Sequence, residues 1–282
     1  MIGAVDPATR GPGADLRHQW GLYRRLVGAR IRSEWQYRTS FAMFLTAQAS
    51  VTALEFAAIV ILLDVVPDLG GWRAREVAFL YGLATVPFAL SDVVVSPVER
   101  LSHHVREGTF DRLLLRPIPS LVQICANEFE LRRAGKLLPN LAVLVWAVGR
   151  VDVAWSGATM ARFALALAGG TVIYSALWVL TAASSFWLVA AQEATNSLTY
   201  GGEFANEYPL HLYRGWIRAV LGWGVPLAFV AYVPSVRILG APNPLGLPDW
   251  LYLLTVPVAA VVCGVAMLVW RLGVRHYQGT GS

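Results

Sequence analysis

Gln48, Thr52 and Glu55 fall at i, i+4 and i+7 inside a long apolar run, so on a helix turning ~100° per residue they share one face. An ionisable group at such depth is costly and usually faces a bundle interior or a wet cavity. The chemistry open to this stripe is electrostatic: it would line a pathway and favour a cationic, partly apolar molecule. The competing reading is a neutral Glu55 that is hydrogen-bonded between helices or reaches the outer interface. Tyr81, Thr85, Phe88 and Asp92 share a face of the next apolar run in the same way, but Asp92 lies near its charged end, where interfacial solvation competes with a pathway role. Covalent and metal chemistry have little foothold. The only lysine, Lys136, is followed by Leu137, and Leu131 stands where a phosphate-cradling Gly-x4-Gly-Lys-Ser/Thr loop needs glycine. Gly-x-Ser-x-Gly and His-Glu-x-x-His are missing. His103 and His104 sit beside Glu99 and Glu107 without the further ligands a metal requires, and read as a surface pair. The expectation is therefore no catalytic residue, no metal site and no cofactor on this chain.

The second group is mechanical. Arg106, Glu107, Gly108, Thr109, Phe110, Asp111, Arg112, Leu113, Leu114, Leu115, Arg116 and Pro117 form a charged insert between apolar runs. Gly108 lets the backbone turn, Thr109 is a candidate N-cap with Asp111 in the first turn, and Pro117 and Pro119 end the helix within about two turns. The three leucines are costly to leave in water, whereas Arg112 and Arg116 are too charged for hydrocarbon; a groove on another protein satisfies both. Ser120 then caps a predicted second helix over 121–136, with Glu128, Glu130, Arg132 and Arg133 on a solvated face.

The elements that must position these groups are membrane helices. Hydrophobic residues make up 56% of the 282, charged residues only 15%, and mean hydropathy is +0.52, outside the usual balance of a soluble domain. Six stretches approach the roughly 20 residues that cross ~30 Å of hydrocarbon: 41–66, 77–95, 137–151, 163–191, 217–239 and 250–272. The third is short and must borrow flanking residues. All are apolar on every face, unlike the alternating segments of a β-barrel. Of the 23 basic residues, 18 fall before the first stretch, in alternate links and in the tail, Arg214 and Arg218 among them. Short cytoplasmic loops are enriched in this way, so both termini are expected in the cytoplasm. The charge of +5 is this topology signal, and no basic domain offers a seat for nucleic acid. Residues 15–36 carry Leu16, Trp20, Tyr23, Val27 and Ile31 at helical spacing among arginines, an interfacial amphipathic helix or else a disordered basic leader. No cleaved-signal pattern is present, so the first span itself is expected to direct insertion. The Ser and Thr stripe of the fourth stretch, Thr171 to Ser185, is read as helix packing. Pro226 and Pro234 mark the fifth stretch as a hinge.

Several segments together resemble one family. They are Gly70-Gly71-Trp72 with Glu76 and Leu80-Tyr81-Gly82; Ser91-Asp92; Gly108 with Asp111 through Pro117; Phe129-Glu130-Leu131-Arg132-Arg133 with Gly135; and Pro226-Leu227-Ala228-Phe229 with Tyr232 and Pro234. Over nearly its whole length the chain resembles the membrane subunits of ABC-2 type ABC transporters, in particular bacterial six-span permeases grouped with viologen and drug exporters. The resemblance implies an all-α membrane protein with an ABC-2 type (type V exporter-like) transmembrane domain over 40–275. It also implies an N-terminal cytoplasmic or interfacial segment over 1–39, a coupling segment within 99–136 and a cytoplasmic tail over 276–282. Glu107 to Pro117 becomes a coupling helix receiving the stroke of a separate ABC ATPase pair, on which ATP and Mg bind. Two permeases, identical or homologous, pair around a central pathway in a bacterial cell membrane. The loop 240–248 takes the place of short re-entrant helices. From the residues alone, a membrane-embedded lipid-modifying enzyme and a non-transporting scaffold stand as alternatives.

Overall fold

Long apolar sequence without period-2 alternation can satisfy its backbone only within helices, and in the computed structural model every extended element among the described residues is helical. Described are residues 21, 24, 27–32, 38–65, 69–116, 118–188 and 192–277. The predicted interfacial helix over 15–36, with Leu16, Trp20 and Tyr23, falls outside these residues except for positions 21 and 24 and a helical stretch at 27–32; so do Pro117 and most of the C-terminal tail.

Helices α1 (Arg38–Val65), α2 (Ala74–Val94), α3 (Leu101–Arg106), α4 (Phe110–Leu114), α5 (Ser120–Asn127), α6 (Leu137–Val148), α7 (Gly157–Ala183), α8 (Gln192–Asn206), α9 (Gly215–Ala219), α10 (Tyr232–Leu239) and α11 (Thr255–His276) follow in order. Among the described residues four continuous helices are long and apolar enough to cross a bilayer: Arg38–Ala58, Ala74–Val94, Gly157–Phe186 and Asp249–His276. At 12 residues α6 is too short alone and is extended backwards by the 3-10 turn Leu131–Lys136. The core forms around α2, whose Val77, Phe79, Leu80, Tyr81, Leu83 and Phe88 are fully buried. It packs on α6 and α7. Gly82 makes the first contact possible, since a Cβ there would stand 2.8 Å from both the backbone and the side chain of Leu144. Gly82→Ala is expected to push α2 and α6 apart at a cost of about 1–3 kcal/mol. It should lower the melting temperature in detergent, whereas Gly264→Ala, where the space is open, should not.

The stretch 217–239 does not cross as expected. A π-helical turn, Val220–Gly224, follows α9, and the chain then bends by 74° before Leu227–Leu239. Pro226, which has no N–H to continue a helix, sits in the break. Both ends of this bent pair lie at the same end of the bundle. Before it, His211 Nε2 donates to the Leu69 carbonyl (3.1 Å) and Nδ1 shares a hydrogen bond with the Tyr232 hydroxyl (3.2 Å). After it, Trp72 Nε1 donates to the Pro242 carbonyl (3.0 Å). The pair therefore enters and leaves beside Leu69–Trp72, and Arg214 and Arg218 lie with it there, not at the end where the sequence reading put them. The loop 240–248 follows this re-entrant pair and does not contain it.

Before this pair comes α8, a polar helix that the sequence reading left in a link. It runs antiparallel to α7: Tyr200 packs edge-on against Trp178 (5.4 Å), and further along α8 but one turn earlier in α7 Asn206 Nδ2 donates to the Tyr174 hydroxyl (3.2 Å).

Candidate functional site

The insert between α2 and α6 begins with the 3-10 turn Ser96–Arg100 and α3, then reverses at Gly108, whose φ of +65° is the left-handed conformation glycine tolerates. Thr109 does not cap α4 through its side chain. It ties the turn backwards instead, sharing a 2.7 Å hydrogen bond with His104 Nδ1. The two histidines are fastened within the link, His103 to Glu107 (3.2 Å) and His104 to Glu128 (3.5 Å).

In α4 the residues sort by helical face. Phe110 and Leu113, at i and i+3, point inward and are 0% and 8% exposed. Phe110 packs edge-on against Phe186 and Tyr277 at 5.4 and 5.0 Å. Gln123 Nε2 donates to the Leu113 carbonyl (2.9 Å), holding α4 to α5. Leu114 and Leu115 point outward, 43% and 85% exposed, rimmed by the exposed Arg106, Glu107, Asp111, Arg112 and Arg116. The leucine run is thus divided: one residue anchors the rod and two remain on the surface. That apolar pair within a charged rim is the composition of a protein-protein contact.

Behind this rod the expected second helix over 121–136 is interrupted. α5 ends at Asn127, with Pro119 and not Ser120 in the capping position, and a 3-10 turn resumes at Leu131. The break turns Arg133 inward, so Arg133 and Glu130 are not a solvated face. The Arg133 guanidinium donates to Asp92 Oδ1 (2.9 Å), Ser96 Oγ (2.7 Å), Glu99 Oε1 (2.6 Å) and Glu130 Oε2 (3.3 Å). Burial works against its charge, but Asp92 and Glu99 outweigh that and hold it firmly protonated. Burial likewise opposes charge on Glu130, yet the hydrogen bond from Arg132 and the nearby arginines keep its carboxyl below the usual range. Asp92, 4% exposed, therefore belongs to this clasp, and its expected places in the pathway stripe or in interfacial solvent are both corrected.

The remaining stripe residues divide. Thr52, Tyr81 and Thr85 are buried, Thr85 donating back to the Tyr81 carbonyl (2.9 Å). Gln48 is half-buried, its Cβ 3.4 Å from the position a side chain at Gly135 would take. Glu55 is exposed on the isolated chain. The helix brings it close enough for charge coupling to two acids that sequence reasoning missed, Glu203 and Glu207, at i and i+4 near the end of α8. Glu207 is 6% exposed, and neither side-chain carboxylate has a hydrogen-bond or ion-pair partner among the described residues. Lys136 Nζ lies between the rings of Phe88 (5.6 Å) and Tyr200 (5.7 Å) on the same side of the bundle and also acts on both acids. The result is a column of carboxylates and aromatic rings running along α8 past Tyr81. The signal for it was present: two acids one helical turn apart within a segment bearing Tyr200, Phe204 and Tyr208. Pro226 stands at the bend already described, and Pro234 is buried inside α10.

A family model described as "ABC-2 family transporter protein" matches residues 49–281. No curated protein and no solved structure matches the chain.

Proposed function

Because the chain belongs to the ABC-2 family of transporter proteins, we propose that it is the membrane-spanning subunit of an ATP-driven exporter of cationic, partly apolar small molecules. Its α1, α2, α6, α7, α8 and α11 make six crossings, with both termini and the α3–α5 link in the cytoplasm of a bacterial cell and the re-entrant pair outside. ATP and Mg belong to a separate pair of ABC ATPase subunits, and two permeases pair around the pathway.

The observation that carries this reading is the outward Leu114 and Leu115 on a rod anchored by Phe110 and Leu113. Arg106, Glu107, Gly108, Thr109, Asp111, Arg112 and Arg116 complete the coupling surface. Closure of the nucleotide-bound ATPases pushes the rod, and α5 with the Arg133 clasp passes the movement to α2. The pathway then alternates between inward and outward access. The hinge role of Pro226 and Pro234 belongs to the outer gate: the bent pair tied by His211 and Trp72 must loosen for release. Glu55, Glu203 and Glu207 supply the preference for cations, since carboxylates without partners at such depth stabilise a positive guest, while Gln48, Thr52, Tyr81 and Thr85 shape the wall.

Purifying the tagged full-length chain tests the first part: an ATPase bearing a phosphate-cradling loop should come with it, and its absence from every transport-active preparation would overturn the assignment. For the second part, Glu207→Gln should raise the half-saturating concentration of a monovalent organic cation at least roughly tenfold, the loss of one buried charge contact. Transport of a neutral compound of similar size should change little; equal effects on both would discard the carboxylate column as the selectivity element.

A further inference from the structure

Among the few arginines that the proposed orientation leaves on the outer side, Arg162 near the start of α7 and Arg237 near the end of α10 converge on one ring. The Arg162 guanidinium carbon lies 5.5 Å, and that of Arg237 5.6 Å, from the ring centroid of Tyr252. Tyr252 belongs to the 3-10 turn Asp249–Leu254 that leads into α11. The three side chains line a cavity of about 80 Å³ between α7, α10 and this turn. That is well above the roughly 10–15 Å³ that one water needs and short of the ~300 Å³ at which whole small-ligand sites begin, so it fits a single compact group. It belongs neither to the carboxylate column nor to the coupling rod.

The charges gathered here are one-sided. Neither guanidinium makes an ion pair or a side-chain hydrogen bond among the described residues, and no acid among them lines the cavity. Asp249 lines an adjoining cavity that shares Arg237 and Tyr252, and it too is without an ion pair there. Other acids of this end are already engaged: Asp152 pairs with Arg75, and Glu76 accepts from the Arg73 backbone N–H. Even with Asp249 set against the two arginines, one positive charge is left over. A tyrosine ring gives each guanidinium a weak cation–π contact but neutralises neither, and two like charges drawn to one ring repel each other. Thr255, at the start of α11, lines the same cavity; it is 4% exposed and its hydroxyl is buried without a hydrogen-bond partner. A buried hydroxyl ordinarily has one.

We propose that this cavity binds the phosphate of an anionic glycerophospholipid of the phosphatidylglycerol type. That the lipid comes from the outer leaflet rests on the orientation given under the proposed function; the site itself does not. A phosphate offers acceptors to both guanidiniums and to the Thr255 hydroxyl, and supplies the missing negative charge. The surroundings point to a lipid as its carrier. Leu165, Leu253 and Val256 line the same cavity and are 53%, 58% and 46% exposed. Val172, two turns further along α7 on the face of Leu165, is exposed as well. Acyl chains would cover this surface while the headgroup fills the cavity, whereas free phosphate would leave it bare. A zwitterionic headgroup would bring its ammonium beside two guanidiniums. The bound lipid fastens α10, the second arm of the bent pair, to α7 and α11.

The test is native mass spectrometry of the purified full-length chain exchanged into equal amounts of POPG, POPE and POPC. One POPG should be retained preferentially, and millimolar inorganic phosphate should not displace it. Arg162→Gln and Arg237→Gln should each weaken its retention about tenfold, the contribution of one charge-assisted hydrogen bond. Arg150→Gln is the control: Arg150 lies over Trp146 at 5.1 Å, outside the cavity, and its loss should leave retention unchanged. In lipid-free detergent neither cavity variant should lower the melting temperature, because each removes one of two repelling charges. Equal retention of the three lipids, preference for POPE, displacement by inorganic phosphate alone, or the same weakening in Arg150→Gln as in the cavity variants would overturn the proposal. No ATPase and no transport enter this measurement, so its failure is separate from failure of the transporter reading.

Discussion

Leu114→Asp combined with Leu115→Asp is expected to abolish substrate-stimulated ATP hydrolysis and export while leaving the amount of protein in the membrane unchanged. Both side chains are exposed in the isolated chain and hold nothing of its own fold, so the folded subunit should not register their loss. A partner groove that seats them would. Placing a carboxylate in the centre of an apolar contact costs at least ~2 kcal/mol at an interface hot spot, roughly a thirtyfold weakening per site. Leu113→Asp is the informative contrast. It buries a charge beside the Gln123 hydrogen bond, and should instead reduce accumulation of the folded protein, because a buried unpaired charge is among the few changes that unfold a protein outright. Glu107→Ala, on the rim, should have the same direction as the double variant and a smaller size. Coupled ATPase assays in proteoliposomes check the series, and normal activity of the Leu114, Leu115 double variant would remove the coupling assignment.

The second large effect is expected at Arg133. Arg133→Gln strands Asp92 and Glu99 in a site built around a cation, and breaking a buried pair from one side costs about 3–5 kcal/mol. The melting temperature of the purified chain should fall sharply, and Arg133→Lys should rescue little. A compact ammonium cannot reach Asp92, Ser96, Glu99 and Glu130 together as the planar guanidinium does. Adding Asp92→Asn to Arg133→Gln should recover part of the loss, since it removes one of the two stranded charges while Glu99 remains. A double variant no better than the single one would mean that the clasp does not act as a unit. Coupling should suffer even where the double variant folds, because Arg133 joins α2 to the segment behind the rod.

Much of this was legible in the chain. The apolar runs that became α1, α2, α7 and α11 declare themselves by length, and the short third run by needing help from the residues before it. Gly108 announced its reversal. Other features depended on packing and not on runs. Phe110, Leu113 and Leu114 stand at i, i+3 and i+4, which share one helical face, so spacing alone does not divide the leucines; the packing that buries Phe110 and Leu113 and leaves Leu114 and Leu115 exposed is seen only in the structure. Arg133 looked solvated because its neighbours are charged; what turns it inward is Asp92, 41 residues away, a pairing that only the packing of two helices reveals. The fifth stretch departs from a single span for a related reason. Hydropathy rewards 217–239, which the structure folds back at Pro226, and passes over 192–206, which forms α8 against α7.

The polarity of α8 has a consequence for how the protein is made. A segment carrying Gln192, Glu193, Asn196, Ser197, Thr199, Glu203 and Asn206 has little tendency to partition from the translocation machinery into lipid unaided, since each charged residue near a helix centre costs about 2.5–3.5 kcal/mol. The Trp178 and Tyr174 surface of α7 must already be in place to receive it, with Phe88 of α2 alongside Tyr200. On the proposed six-crossing topology, biogenesis of this part of the bundle is ordered: the earlier hydrophobic helices serve as an internal template, and Glu203 and Glu207 are threaded in under their shelter.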